Sequence, residues 1–200
     1  MFLMLTLYMQ QVLGYSALKT GVGYLAVAGT AIIWANVAAV AVNRVGVKPA
    51  LIFGMTLTIG LLYFTQVSVD GSYWNDLFPG FLIIGLGMPF CFVPITIAAL
   101  AGTRPNEAGL ASGLINTSQQ IGGAVGIAVL STIAVSTTTD ALSSGSSQPV
   151  ALTDGFANAF WVGAAIAFVG VLVSIFMVQG RDLRSQEAPI GEPAFEAASS

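Results

Sequence analysis

AGLASGLINTSQQIGGAVGIAVLST, residues 108–132, is the stretch on which the reading of the fold turns. It carries no charge and is long enough to cross a bilayer, since about 20 residues at ~1.5 Å rise span the ~30 Å hydrocarbon core. It nevertheless holds three amide side chains, Asn116, Gln119 and Gln120. At helical spacing Ser112, Asn116, Gln119, Gly123 and Gly126 fall on one face. Amides are costly against acyl chains unless they meet another helix or water. This face is therefore expected to turn inward, toward a bundle or a solute path. Gly109 and Gly113 are four apart, and so are Gly122 and Gly126. Small residues at that spacing let helix backbones approach closely in lipid. These four glycines read equally as helix-packing contacts and as part of the path.

Composition carries the same message outward to the whole chain. Of its 200 residues 56% are hydrophobic and 8% are charged, against about 25% charged in a soluble domain. The mean hydropathy is +0.85. These values describe an all-α integral membrane protein. The net charge of -3 comes largely from the final residues, and no basic stripe with interleaved aromatics points to nucleic acid. The single cysteine, Cys91, sits in an apolar run and reads as an inert buried thiol; alone it makes neither an intrachain disulfide nor a multi-cysteine metal site. There is no histidine. The opening MFLMLTLYMQQVL lacks a positive leading region and a small-residue cleavage site, so it is not read as a signal peptide.

Taken in order, the apolar runs predict six spans in one bundle, residues 1–178. They fall at 1–13, 21–42, 49–69, 77–100, 108–135 and 156–178. The first is partial, because thirteen helical residues cover only about 20 Å, so a helix completed upstream is expected. Pro49 opens the third span at a position helices tolerate. Tyr73 and Trp74 suit the headgroup level. Pro89 and Pro94 lie inside the fourth span and are expected to bend it, because proline removes a backbone donor and clashes with the preceding turn. Residues 135–155, rich in Ser and Thr, read as a flexible loop, and 179–200 as a disordered cytoplasmic tail.

The turns set the orientation. Arg44, Lys48, Arg104, Arg181 and Arg184 share one side, while the other holds Lys19 with Asp70, Asp76, Asp140 and Asp154. By the positive-inside rule the first side, with the C-terminus, is cytoplasmic. Arg44, Lys48 and Arg104 then serve chiefly as orienting charges in the cytoplasmic turns.

Several motifs are set aside on context. GVGYLA, 21–26, fits a dinucleotide-binding pattern, but no strand precedes it and it opens a span. Asn116-Thr117-Ser118 is a glycosylation sequon inside a span. No paired carboxylates, metal-ligand cluster or nucleophile-base set is present, so no enzyme, metal or cofactor is expected.

The segments YMQQVLGYSALKTGVGYL, GLGMPFCFVPITIAALAG and EAGLASGLINTSQQIGGAVGIAVLST together resemble the C-terminal half of major facilitator superfamily transporters, in the branch of 14-span drug:proton antiporters. The resemblance covers about residues 8–178. Two departures stand out. Gln119 occupies a position that is often arginine in that family, and Asn43 stands where the family's cytoplasmic turn AVNRVG would carry an acid. The resemblance implies a fold of two six-helix bundles around a central path, with this chain supplying one. It also implies that the proton-coupling acids belong mostly to the other bundle. The residues agree, since no Asp, Glu, Lys, Arg or His lies within a full span.

The sequence thus predicts one six-helix half of a small-molecule efflux transporter, multi-pass in the cell membrane. Its partners would be the bilayer, an N-terminal half on the same or a separate chain, and an amphipathic substrate. Trp34, Asn36, Met88, Phe92, Asn116, Gln119 and Gln120 are the candidate path residues. The amides would orient polar substrate atoms, and the thioether and rings would accept varied shapes. For Trp34, Met88 and Phe92 ordinary packing or lipid contact competes with that role. The rival reading is a non-transporting module: a truncated product, or a half-protein that assembles with a partner bundle.

Overall fold

The computed structural model describes residues 1–100, 103, 104 and 106–177. The stretch 179–200 expected as a tail, with Arg181 and Arg184, lies outside the described residues. No strand occurs among those described.

Helix α1 (Phe2–Leu7) widens into a π-helical turn, Tyr8–Val12. Ser16 caps α2 (Ala17–Gly23), its hydroxyl accepting the Lys19 N–H at 3.2 Å. After a break at Tyr24, α3 runs Leu25–Val45. Gly46, at φ +92°, makes the sharp turn into α4 (Val47–Thr58). The last part of this span, Ile59–Gln66, tightens to a 3-10 helix. The tightening lengthens it: about 18 Å of α-helix and ~16 Å of 3-10 helix together clear the ~30 Å hydrocarbon core. A π-helical turn, Tyr73–Leu77, leads into α5 (Phe78–Leu100). Helices α6 (Ala108–Ser143) and α7 (Gln148–Met177) complete the described part of the chain. Among the described residues five helices are long and apolar enough to cross a membrane, and the short apolar Phe2–Val12 precedes them. The order of elements matches the predicted six with a partial first; the bundle is a half of the expected two-bundle fold.

The main difference is at 135–155. Instead of a loop, α6 continues to Ser143 and α7 begins at Gln148. The Ser and Thr side chains permit this by turning onto their own helix. Ser136 donates to the Ile133 carbonyl, Thr138 to Ala134, Thr139 to Val135, and Ser143 and Ser144 to Asp140. Only a tight turn with Gly145 at φ +89° separates the two helices.

Packing is uneven along the bundle. In lipid, close fit rather than exclusion of water holds helices together. At the end bearing residues 67–77 and the α6–α7 turn, Tyr8, Met9, Phe64, Leu77 and Phe81 are fully buried, with Phe156 and Phe160 beside them. Phe64 packs its ring 5.7 Å from Phe81 and 5.5 Å from Phe160, joining α4, α5 and α7. Each such aromatic pair contributes ~0.5–1.5 kcal/mol. The other end holds a smaller cluster of Ala38, Val42, Ala50 and Phe90.

Helix α7 docks through small residues. Ala151, Gly155, Ala159, Gly163 and Ala167 recur every fourth position, and all five are buried. A Cβ on Gly155 would collide with the Thr138 hydroxyl and lie 2.5 Å from the Ala134 carbonyl oxygen, so α6 and α7 are in backbone contact there. Gly170 receives the methyl of Met55 from α4.

Candidate functional site

Helix α5 is gripped on two sides by glycine contacts that bracket Pro89. Pro89 and Pro94 lie inside the helix and are both buried. Each lacks the N–H that would bond the carbonyl four residues earlier, so Gly85 and Phe90 keep carbonyls without a helical donor. Both residues meet a neighbouring helix. A Cβ on Gly85 would fall 2.8 Å from the Val27 oxygen and 2.9 Å from Thr30 Cβ of α3. A Cβ on Gly54 of α4 would fall 2.6 Å from the Phe90 oxygen. Gly87 faces Leu57 Cβ at 3.0 Å in the same sense. The helix continues through its prolines, and α3 and α4 pack closely against it there. Cys91, half-buried, points its thiol at Met55 Sδ, 3.6 Å away, and lies 3.8 Å from the Thr58 hydroxyl.

Met88 is half-buried against the core. Phe92, on the same helix, is 46% exposed, and on α3 Trp34 is 37% exposed with Asn36 also open. The structure therefore brings Trp34, Asn36, Met88 and Phe92 onto two packed helices, α3 and α5.

The amide stretch of α6 stands apart from them. Asn116, Gln119 and Gln120 are exposed and make no hydrogen bond to another described residue. Nothing lies within 4 Å of a Cβ built on Gly109, Gly113, Gly122 or Gly126. The expectation that this face turns onto the bundle is not met within this chain. The physical reason is that the close contacts of α6 with α7 fall in its second half, at Leu130, Ala134 and Thr138. Its first half leaves the three amides and Gly109, Gly113 and Gly122 exposed.

In the turns, Arg44 is exposed and Lys48 half-buried. Arg104 reaches Glu107 at 3.9 Å, an exposed pair of little energetic weight.

One arrangement escaped the sequence reading. Where α6 and α7 continue as a hairpin, Thr137, Asp140, Asp154, Asn158 and Trp161 line an open cleft, with the Asn158 amide donating to Thr137 Oγ1 at 3.4 Å. Reading 135–155 as helix rather than loop would have put both carboxylates on facing helices. Among the described residues no group of three His, Cys, Asp or Glu could hold a metal.

A family model described as Major Facilitator Superfamily matches residues 1–127. The chain belongs to the major facilitator superfamily. Among its relatives in that superfamily is the puromycin resistance protein pur8 of Streptomyces alboniger, 35% identical over 178 residues, which cover 86% of this chain and 35% of that protein. The cephamycin export protein CmcT of Amycolatopsis lactamdurans is 31% identical over 171 residues, 84% of this chain and 34% of its own. The tetracenomycin C resistance and export protein of Streptomyces glaucescens is 31% identical over 131 residues, 66% of this chain and 24% of its own. The chain spans about a third of the length of the first two relatives. It is a multi-pass membrane chain of a transporter superfamily and not an enzyme.

Proposed function

We infer that this chain forms the C-terminal bundle of a small-molecule exporter in the plasma membrane, with amphipathic compounds as substrates. The names of its relatives, resistance and export proteins for antibiotics, support export as the direction. The observation that carries the reading is the uncovered amide face of α6. Three primary amides without partners on a membrane helix demand protein or water opposite them. A second bundle across a water-filled route supplies both. The glycines at 109, 113, 122 and 126 then face that bundle, on the same or a separate chain. Trp34, Asn36, Met88 and Phe92 contribute the apolar and polar wall on α3 and α5, and Pro89 with Pro94 is assigned to bending of α5 during transport.

The ends of the bundle are oriented with Arg44, Lys48 and Arg104 toward the cytoplasm, and the C-terminus with them. Residues 25–42, 49–66, 78–100, 108–135 and 156–177 contain no Asp, Glu, Lys, Arg or His. Proton coupling, as in the drug:proton antiporters, therefore falls to the companion bundle. The deciding experiment is an export assay of this chain with and without its companion half. Export that needs both, and that falls when Gln120 is replaced by Leu, supports the reading. Export unchanged by Gln120→Leu across a substrate panel counts against the path, and a chain that is stable without any companion favours the non-transporting module.

A further inference from the structure

Residues 67–77 leave α4 and return to α5 across one end of the bundle, and tyrosine hydroxyls fasten them there. Tyr8, fully buried in the π-helical turn of α1, donates to the Ser68 carbonyl at 2.6 Å. Tyr73 donates to the Gly23 carbonyl at 2.8 Å, at the break between α2 and α3. Tyr63 donates to the Asn75 carbonyl. Tyr24, at the same break, ties α1 to α3 by donating to the Phe2 carbonyl at 2.8 Å, with Thr6 Oγ1 2.9 Å away.

The Ser68, Gly23 and Asn75 acceptors lie where regular α-helix is interrupted. A carbonyl without a helical donor is costly near the hydrocarbon, and each hydroxyl fixes two segments in a single geometry. Beneath the strap sit the buried side chains Tyr8, Met9, Leu77 and Phe81. Met9 lies under the Tyr73–Gly23 junction: a Cβ on Gly23 would be 3.1 Å from the Tyr73 ring and 3.8 Å from Met9 Sδ. Gly71 lies directly against the Tyr8 hydroxyl and 3.0 Å from the Ser68 oxygen by the same measure, so any side chain there lifts the strap. The Asp76 carboxylate accepts the Ser72 N–H and stiffens the turn. Nothing comparable closes the opposite end, where the buried cluster is small and no tyrosine bond crosses between helices among the described residues.

We propose that residues 67–77 are a latch that seals this end of the bundle against water, released only when the Tyr8–Ser68 and Tyr73–Gly23 bonds part. The two bonds act together because both end on one short strap, so loosening either frees the other. The latch stands on these contacts alone and holds whether or not the chain exports drugs.

The test is the reaction rate of a cysteine at position 9 with a water-soluble maleimide. Met9→Cys is made with Cys91→Ser in the full chain, embedded in membrane vesicles permeabilised to both sides. The latched protein reacts slowly. Tyr8→Phe, Tyr73→Phe and Gly71→Ala each raise the rate about fivefold or more, the factor expected from one lost hydrogen bond. Tyr15→Phe, which removes only a ring hydroxyl beside Lys19, leaves it unchanged. Gly71→Ala opens the latch without altering a tyrosine, so the idea survives a poorly folding Tyr8→Phe. An unchanged rate in both Gly71→Ala and Tyr73→Phe overturns the latch, as does an equal rise with Tyr15→Phe. A Ser147→Cys control in the turn between α6 and α7, exposed and outside the strap, should react at one rate in every background; a general rise there would mean unfolding and would also refute the proposal.

Discussion

Gly54 of α4 lies against the main chain of Phe90 in α5: a Cβ on the glycine would sit 2.5 Å from the Phe90 carbonyl carbon. Phe90 is also the residue whose carbonyl Pro94 deprives of its helical donor. One helix thus presents its bare backbone where the other has a backbone acceptor to cover, and Cα–H groups at such crossings contribute weak hydrogen bonds of ~0.5–1 kcal/mol.

Gly54→Ala should therefore force α4 and α5 apart. Overpacking of this kind costs ~1–3 kcal/mol. The expected outcome is a lowered thermal midpoint for the detergent-solubilised chain, while Gly122→Ala, with no atom near its Cβ, leaves the midpoint unchanged. Equal effects at the two glycines would refute the packing described for α5.

Gly155→Val should separate α6 from α7. The added methyl groups meet the Ala134 carbonyl and the Thr138 hydroxyl, neither of which can yield without moving a helix. The hairpin should then become protease-sensitive around residues 140–150, measurable by limited proteolysis in vesicles. Resistance equal to that of the unaltered chain would rule out the close contact.

Gln119→Leu and Gln120→Leu should lower export in the complete transporter while leaving membrane abundance unchanged. Neither amide has a partner to lose among the described residues, so stability has no reason to fall. Loss of one amide bond to substrate corresponds to about a fivefold change, readable as a shift in drug tolerance. A fall in abundance with export per molecule unchanged would assign these amides to packing instead.

With Cys91 replaced by Ser, a cysteine at Ser146 should react with an impermeant thiol reagent on intact cells. One at Lys48 should react only after permeabilisation. The reverse pattern would invert the proposed orientation.

Much of this architecture is legible in the residues. Long uncharged runs fix the helices and their order, because a bilayer admits few alternatives to a helix of about 20 apolar residues. Boundaries were less legible where side chains could bond to their own backbone. Thr138, Thr139 and Ser143 look like loop residues until their hydroxyls are seen on carbonyls one turn back. The α6 spacing at 109, 113, 122 and 126 suggests packing against a neighbour, whereas the backbone contacts among the described residues fall at Gly54, Gly85 and Gly155. The every-fourth small residue from Ala151 to Ala167 was a readable signal for the last of these. For Gly54 and Gly85 no local pattern exists, since what marks them is a proline-disturbed neighbour distant in sequence. The amides of the candidate path were evident from composition alone, but what lies opposite them is not written in these residues.

Helix α6 packs against α7 from about Leu130 onward, and the part before it, from Ala108, is about 33 Å long. A tilt of roughly 10° about Leu130 would sweep the Ala108 end sideways through about 6 Å, more than one helical pitch. A small motion at one membrane face would thus become a larger one at the other, carrying Asn116, Gln119 and Gln120 through part of that arc.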